Sequence, residues 1–274
     1  MIVIITGASD GIGAELARQW ARRDGASLSL VLAARSQDKL AEVAAQCQSL
    51  GAQVLAQRCD VESQADCQAL VDATLTRFGG LDVLVNNAGM SAHASFEQVQ
   101  DLAWYERLMR INLWGSVWCT QAALPALKAS RGRLVAVSSL AGLVGVPGRT
   151  AYSASKFAMT GFFEALRVEL APQGVSVTIA YPGVVATQIR YRGFNAQGQA
   201  AGVSGLDERG AMTVQTCARL ILDGALARRR DIVMSAKGRL GRWLKLIAPA
   251  LVDRLALKAL AKEAGQAPQA RPSP

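Results

Sequence analysis

The chain has 274 residues, 51% of them apolar, and carries 30 Lys and Arg against 21 Asp and Glu for a net charge of +9. That length and apolar content allow one large buried core and exclude a disordered chain or a small disulfide scaffold. Cys47, Cys59, Cys67, Cys119 and Cys217 form no CxxC pair and no ligand spacing with the single His93, so they read as buried thiols with no metal.

The first apolar run, Ile2 to Ile5, predicts a strand that starts at residue 2 and leaves no room for a leader peptide, hence a cytoplasmic expectation. The turn Thr6-Gly7-Ala8-Ser9-Asp10-Gly11-Ile12-Gly13 follows, ahead of a helix-like run from Ala14 to Arg23. Glycines so placed permit a tight turn, let a pyrophosphate approach the backbone and let the helix pack close to the strand. The helix N-terminus then faces the anion. The spacing G-x-x-x-G-x-G departs from the commoner G-x-G-x-x-G, and a plain strand-to-helix loop is the alternative. Further strands are predicted at Leu28 to Ala33, Gln53 to Gln57, Val83 to Asn86, Leu134 to Ser138, Val175 to Ala180 and Asp231 to Met234, with helical stretches between them. The alternation predicts an α/β fold of about seven parallel strands with helices on both faces.

Tyr152 and Lys156 stand four residues apart, so one helical turn sets them on the same face. A tyrosine titrating near pKa ~10 exchanges protons poorly at neutral pH unless a cation stabilises the phenolate. Lys156 is a candidate for that cation. An accidental pair on a helix surface is the alternative, and the Ser138-Ser139-Leu140-Ala141-Gly142 segment nearby in sequence argues against it.

TGASDGIG at Thr6 to Gly13, Asp60-Val61, NNAG at Asn86 to Gly89, Asn112, Ser139, YSASK at Tyr152 to Lys156, and Pro182-Gly183 followed by Thr187 occur in this order, with thirteen residues from Ser139 to Tyr152. In these motifs the chain resembles the short-chain dehydrogenase/reductase family, from Met1 to about Asp231. The resemblance implies a single Rossmann-like, doubly wound catalytic domain over residues 1–236. It implies a nicotinamide dinucleotide held by Gly7, Ser9, Gly11, Ile12, Gly13, Arg35, Asp60, Val61, Asn87, Ala88, Gly89, Tyr152, Lys156, Pro182, Gly183, Val185 and Thr187. It also implies catalysis by Asn112, Ser139, Tyr152 and Lys156: Ser139 binds the substrate oxygen, Tyr152 exchanges its proton, Lys156 supports Tyr152 and the nicotinamide ribose, and Asn112 anchors a water. Adjacent strand residues face opposite sides, so only one of Ser138 and Ser139 can point at the cleft; the resemblance selects Ser139 and leaves Ser138 a structural role. A homodimer or homotetramer is the family expectation.

Where NAD-preferring relatives carry an acid at the end of the second strand, this chain has Ala34, and Arg35 offers a guanidinium to a 2′-phosphate. NADP(H) is therefore expected over NAD(H), although Asp10 stands where many NADP-dependent relatives carry a base. Gln188 to Met212, with Gly193, Gly198, Gly202, Gly205 and Gly210, is expected to form a mobile substrate lid, residues 188–212. Met90, His93, Leu140, Val144 and Phe194 are expected around the cleft, which suits a hydrophobic ketone or alcohol, steroid-, retinoid-, acyl- or xenobiotic-like.

Between Arg228 and Lys262 lie ten basic and two acidic residues, so this stretch carries +8 of the +9. Apolar residues recur helically through residues 237–264 and are interrupted by Pro249, which predicts two short amphipathic helices. They suit an anionic membrane surface, with a partner subunit or the chain's own domain as alternatives. The inner face of a membrane then becomes a second expected location. Residues 265–274 are expected to be frayed. A dinucleotide-binding sensor without turnover is the alternative function, and no recognition motif supports nucleic-acid binding.

Overall fold

Seven strands, β1 (Ile2–Thr6), β2 (Ser29–Ala34), β3 (Gln53–Arg58), β4 (Val83–Asn86), β5 (Arg133–Val137), β6 (Ser176–Tyr181) and β7 (Asp231–Val233), form one parallel sheet in the order β3-β2-β1-β4-β5-β6-β7. The computed structural model describes residues 1–204 and 210–264, omitting the side chains of 259 and 261–264. The expected frayed tail, 265–274, and Gly205 of the expected lid lie outside the described residues.

The helices are α1 (Gly11–Asp24), α2 (Gln37–Ser49), α3 (Gln64–Phe78), α4 (Ala103–Met109), α5 (Gly115–Ala129), α6 (Thr150–Leu170), α7 (Ile189–Arg192), α8 (Val214–Leu226), α9 (Ala236–Ile247) and α10 (Pro249–Ala264). Successive strand residues point to opposite faces, and both faces are covered, so the central strands read as unbroken apolar runs. Val3 and Ile5 of β1 pack with Trp20 of α1 and with Ala218 and Ile221 of α8. Ile4 between them belongs to the opposite core, with Leu70 of α3, Cys119 of α5 and Met159 and Phe163 of α6.

Local chemistry sets the helix ends. Asp10 accepts a hydrogen bond from Gly11 N at 2.6 Å, so α1 begins at Gly11 and not at Ala14 as its apolar pattern suggested. Ser63 caps α3 through Asp66 N at 3.1 Å, and Gly79 ends it in the left-handed conformation. A π-helical turn, Arg110–Trp114, joins α4 to α5 without a break. Pro249, at the first position of α10, is tolerated there because that N–H has no intrahelical acceptor, and it separates α9 from α10. All five cysteines are free and buried. Burial pushes Cys47 up to about 11 and Cys217 up to about 12, which keeps both as inert thiols.

Candidate active site

In a doubly wound sheet, ligands bind beyond the carboxyl ends of the strands, where the strand order reverses. Here the reversal lies between β1 and β4, and a cleft of about 810 Å³ opens there. One end of it is built by the glycine turn and the NNAG segment, which lock each other. Thr6 Oγ1 accepts from Asn87 N and Ala88 N, each at 3.0 Å, while Asn87 Nδ2 donates to Thr6 O at 2.9 Å and Gly7 O at 3.2 Å. A Cβ on Gly7, whose φ is +66°, would stand 2.8 Å from Ala88 Cα, and one on Gly13 would stand 2.5 Å from Asn87 Nδ2 and closer still to Gly7 O. No side chain other than hydrogen fits either position. Gly7, Ser9, Gly11, Ile12, Asn87, Ala88 and Gly89 line the cleft; Gly13 lies behind it as a spacer.

The adenosine-side candidates also line the cleft. Asp60 turns the chain after β3 by accepting from Glu62 N at 3.1 Å, and Val61 follows it. Arg35 is half-exposed and stands 3.7 Å from Glu62, whose carboxylate Arg107 grips through Nε at 3.0 Å and Nη2 at 3.1 Å. Ser36, which begins α2 without a side-chain cap bond, and Lys39 complete this corner. Neither had been singled out in the sequence, although both follow the β2 end that Arg35 marks.

At the other end, α6 carries Tyr152 and Lys156 into the cleft. Lys156 is buried; its Nζ donates to Val137 O at 3.0 Å and lies 5.9 Å from the Tyr152 ring centroid. Burial pushes the Lys156 ammonium below the ordinary lysine range, and the nearby Tyr152 opposes that shift. Ser139 lines the cleft and accepts from Ala141 N at 3.2 Å. Ser138 also borders the cleft, but its hydroxyl is tied to α6 through Lys156 O and Thr160 Oγ1, both at 3.3 Å. Asn112 sits in the π turn, wholly buried. Its Oδ1 accepts from Met90 N at 2.8 Å, and its Nδ2 donates to Met90 O at 3.0 Å and Ser155 Oγ at 2.9 Å. The side-chain amide thus joins the β4 loop to α6 directly. A π turn widens the helix by one residue and recurs at functional sites. Pro182, Gly183, Val185 and Thr187 line the floor after β6.

Sequence reasoning missed Arg149. Its guanidinium lies 4.4 Å from the Tyr152 ring centroid and is held by Ser91 Oγ at 2.5 Å and Ala92 O at 3.1 Å, beside the cleft. A basic residue three positions ahead of the tyrosine was the available signal.

Of the expected substrate contacts, Met90 and Leu140 line the cleft, joined by Ile111, Val146, Val184 and Ile189. His93, Val144 and Phe194 do not. Phe194 is buried against Trp104, ring centroids 5.8 Å apart. His93 lies behind the wall, where burial and then Arg149 push its pKa down. Val144 faces α9, within 3.9 Å of where a Gly241 Cβ would be. Two glycines of the 188–212 segment are closely packed: a Gly193 Cβ would stand 2.7 Å from Ser91 O, and a Gly198 Cβ 3.0 Å from Trp104 Cβ, whereas Gly202 and Gly210 have open space around them and positive φ. The described part is tied down by bridges of Phe194 to Ala92 and Ala200 and of Val185 to Met212.

The α9 helix packs against Leu140, one of the apolar residues of the cleft. Gly238 presses on Leu140, Lys245 Nζ donates to Leu143 O at 3.2 Å and lies 4.6 Å from the Phe157 centroid, and Arg242 pairs with Asp231 at 3.0 Å. Its outer side leaves Leu240, Trp243, Leu246 and Ile247 exposed, and Leu251, Leu255 and Leu257 of α10 are exposed as well. Among the described residues no helix is long and apolar enough to cross a membrane.

The family model described as short chain dehydrogenase matches residues 1–197. An 11-beta-hydroxysteroid dehydrogenase A of Sesamum indicum is 38% identical over 260 residues, covering 92% of this chain and 73% of its own length. An 11-beta-hydroxysteroid dehydrogenase-like 4A of Arabidopsis thaliana is 39% identical over 255 residues, covering 92% and 82%. Among solved structures, an alcohol dehydrogenase of the archaeon Thermococcus sibiricus, complexed with 5-hydroxy-NADP, superposes with a TM-score of 0.72 at 25% identity, covering 85% of this chain and 93% of that one.

Proposed function

The chain belongs to the short-chain dehydrogenase family of oxidoreductases, and from that premise we propose that it interconverts a carbonyl and an alcohol on a hydrophobic substrate with NADP(H). The observation that carries the reading is one cleft whose glycine-built end suits a dinucleotide and whose apolar end brings Ser139, Tyr152 and Lys156 together.

The bound nicotinamide supplies or accepts the hydride. The chain's own residues handle the proton. Ser139 Oγ hydrogen-bonds the substrate oxygen, and Tyr152 donates its phenolic proton to that oxygen during reduction or removes it during oxidation. Lys156 and the Arg149 guanidinium on the ring give the phenolate two cations, in a site where burial strengthens electrostatics. Asn112 fixes the β4 loop against α6, and so fixes Gly89 beside Lys156 Nζ. Arg35, Ser36 and Lys39, at the N-terminus of α2, offer charge and donors to a 2′-phosphate, which supports NADP(H) over NAD(H). The apolar wall of Met90, Ile111, Leu140, Val146 and Ile189 supports a bulky hydrophobic substrate, in keeping with the hydroxysteroid dehydrogenase names of the relatives. Residues 1–236 then make up the catalytic domain, and assembly is as a dimer or tetramer in the cytoplasm.

The test is cofactor oxidation at 340 nm with NADPH and NADH over a panel of hydrophobic ketones, steroids included, with Tyr152→Phe as the blank. Turnover with NADPH that vanishes in the variant is expected. Tight coenzyme binding with no turnover on any carbonyl would favour the sensor reading.

The exposed apolar side chains of α9 and α10, flanked by Lys237, Arg239, Arg254 and Lys258, support docking of this end on an anionic bilayer. Flotation with phosphatidylglycerol vesicles, absent with phosphatidylcholine and lost on Trp243→Asp with Leu246→Asp, is the expected result. Equal flotation of that variant would refute it.

A further inference from the structure

One cation of the cleft answers an electrostatic problem that the glycine turn creates. The N-terminus of the 14-residue α1 offers N–H groups and the positive end of a helix dipole to an anion. Asp10 places a carboxylate at that point and takes up Gly11 N–H itself. An incoming pyrophosphate would meet a like charge. The structure sets a guanidinium against it: Arg192, at the end of α7, forms an ion pair with Asp10 across 182 positions of sequence. Both side chains line the cleft, and both are more than a third exposed.

Lys39 stands at the far corner with Arg35, at the start of α2, and the remaining arginines of the cleft have other contacts. Arg35 stands by Glu62, Arg149 lies on Tyr152, and Arg190 is buried with Nη2 on Val185 O at 3.0 Å. Arg192 uses Nη2 on Asp10 and Nε on Gln188 O at 3.4 Å, and among the described residues its Nη1 makes no hydrogen bond. A guanidinium carries five N–H donors in a planar fork, so it can keep the carboxylate and still face a phosphate.

We infer that Arg192 is the pyrophosphate clamp of this chain, cancelling the charge of Asp10 at the start of α1 and drawing α7 onto the coenzyme. The inference rests on reading the cleft as a dinucleotide site. It makes Arg192 a determinant of affinity for both coenzymes, in contrast to Arg35, which reads only the 2′-phosphate. It also explains how an acid is tolerated in the glycine turn.

The test is a double-mutant cycle on dissociation constants, measured by calorimetry with NADP⁺ and NAD⁺ on the full chain, with melting curves to verify folding. Arg192→Ala is expected to weaken both coenzymes by a similar factor, roughly tenfold or more, the size of one charge-assisted hydrogen bond. Arg192→Gln, which keeps length and donors but not charge, is expected to lie between. In an Asp10→Asn background the loss on Arg192→Ala is expected to shrink, because no carboxylate is left uncancelled. Unchanged affinity, a loss confined to NADP⁺, or the same loss in both backgrounds would each overturn the proposal. Failure of the unmodified protein to bind either coenzyme would overturn the reading of the cleft as well.

Discussion

Lys156→Met should abolish turnover and raise the melting temperature at neutral pH. Lys156 is buried at 4% exposure, and its ammonium bonds to Val137 O and to Met159 Sδ, with no carboxylate partner among the described residues. Replacing a buried charge with an apolar side chain of similar volume is worth roughly 1–4 kcal/mol, and leaving Val137 O without its donor costs about 1 kcal/mol. A net gain of about 2 kcal/mol corresponds to a rise of roughly 4–8 °C for a domain of this size. The pH dependence fixes the cause. Burial holds Lys156 below its unfolded value of about 10.4, so the unfolded chain binds the extra proton between the folded pKa and 10.4. Stability contributed by this group therefore rises with pH through that window and is lost as pH falls. The advantage of the variant should be large at pH 7 and shrink toward pH 10. Paired thermal melts at fixed ionic strength, from pH 6.5 to 10, measure it. A lower melting temperature at pH 7, or a difference that does not change with pH, would refute the reasoning.

Ser139→Ala should lower turnover by about 10²–10³-fold with little change in melting, as expected when a donor to the reacting oxygen is lost. Ser138→Ala should do the reverse, costing about 1 kcal/mol through its lost bonds to α6 and leaving turnover within a few-fold. Equal loss of turnover in both variants would mean that the strand end is read in the wrong register. Gly13→Ala, whose Cβ would collide with backbone at Gly7, should destabilise by at least about 2 kcal/mol and weaken coenzyme binding. Gly79→Ala, at φ +77° in open space, should cost only about 1 kcal/mol of backbone strain and leave binding unchanged. Cys47 and Cys217 should resist a thiol reagent at pH 8 until the chain unfolds, because burial suppresses the thiolate; rapid labelling of the native protein would contradict their burial.

The sheet was legible because its strands are buried on both faces. Ile2 to Ile5 or Leu28 to Ala33 cannot be mistaken for half-buried alternation, and the ends of such runs carry the cleft residues. Tyr152 and Lys156, close in sequence, could be set on one face by helical periodicity alone, whereas the choice of Ser139 over Ser138 came from the family resemblance. What was not legible depends on contacts distant in sequence. No local pattern announces that Asn112 lies in a π turn bonded to Met90 and Ser155, or that Arg192 returns to Asp10. Nor does glycine content show which glycines of the 188–212 segment are packed: Gly193 lies against Ser91 O and Gly198 against Trp104, whereas Gly202 and Gly210 stand in open space. Composition alone does not separate these two uses of glycine.

The two ends of the cleft obey opposite rules, and the catalytic pair stands where they meet. At the β1 and β2 ends the walls are backbone N–H groups and small residues, since an anionic ligand needs donors and close approach. At the β5 and β6 ends they are largely aliphatic, and α9 packs against Leu140 there, with its Lys245 and Arg242 on Leu143 O and Asp231. Lys156 lines the cleft where the two walls meet. It enters from α6, behind Ser138 and beside Gly89, and a buried lysine with no acidic partner among the described residues is costly to keep. Its Nζ is held by Val137 O and Met159 Sδ, while Asn112 and Ser138 fix α6 around it through Ser155 Oγ and the Lys156 carbonyl. The instability predicted for Lys156 and the orientation proposed for Tyr152 are thus two consequences of the same packing.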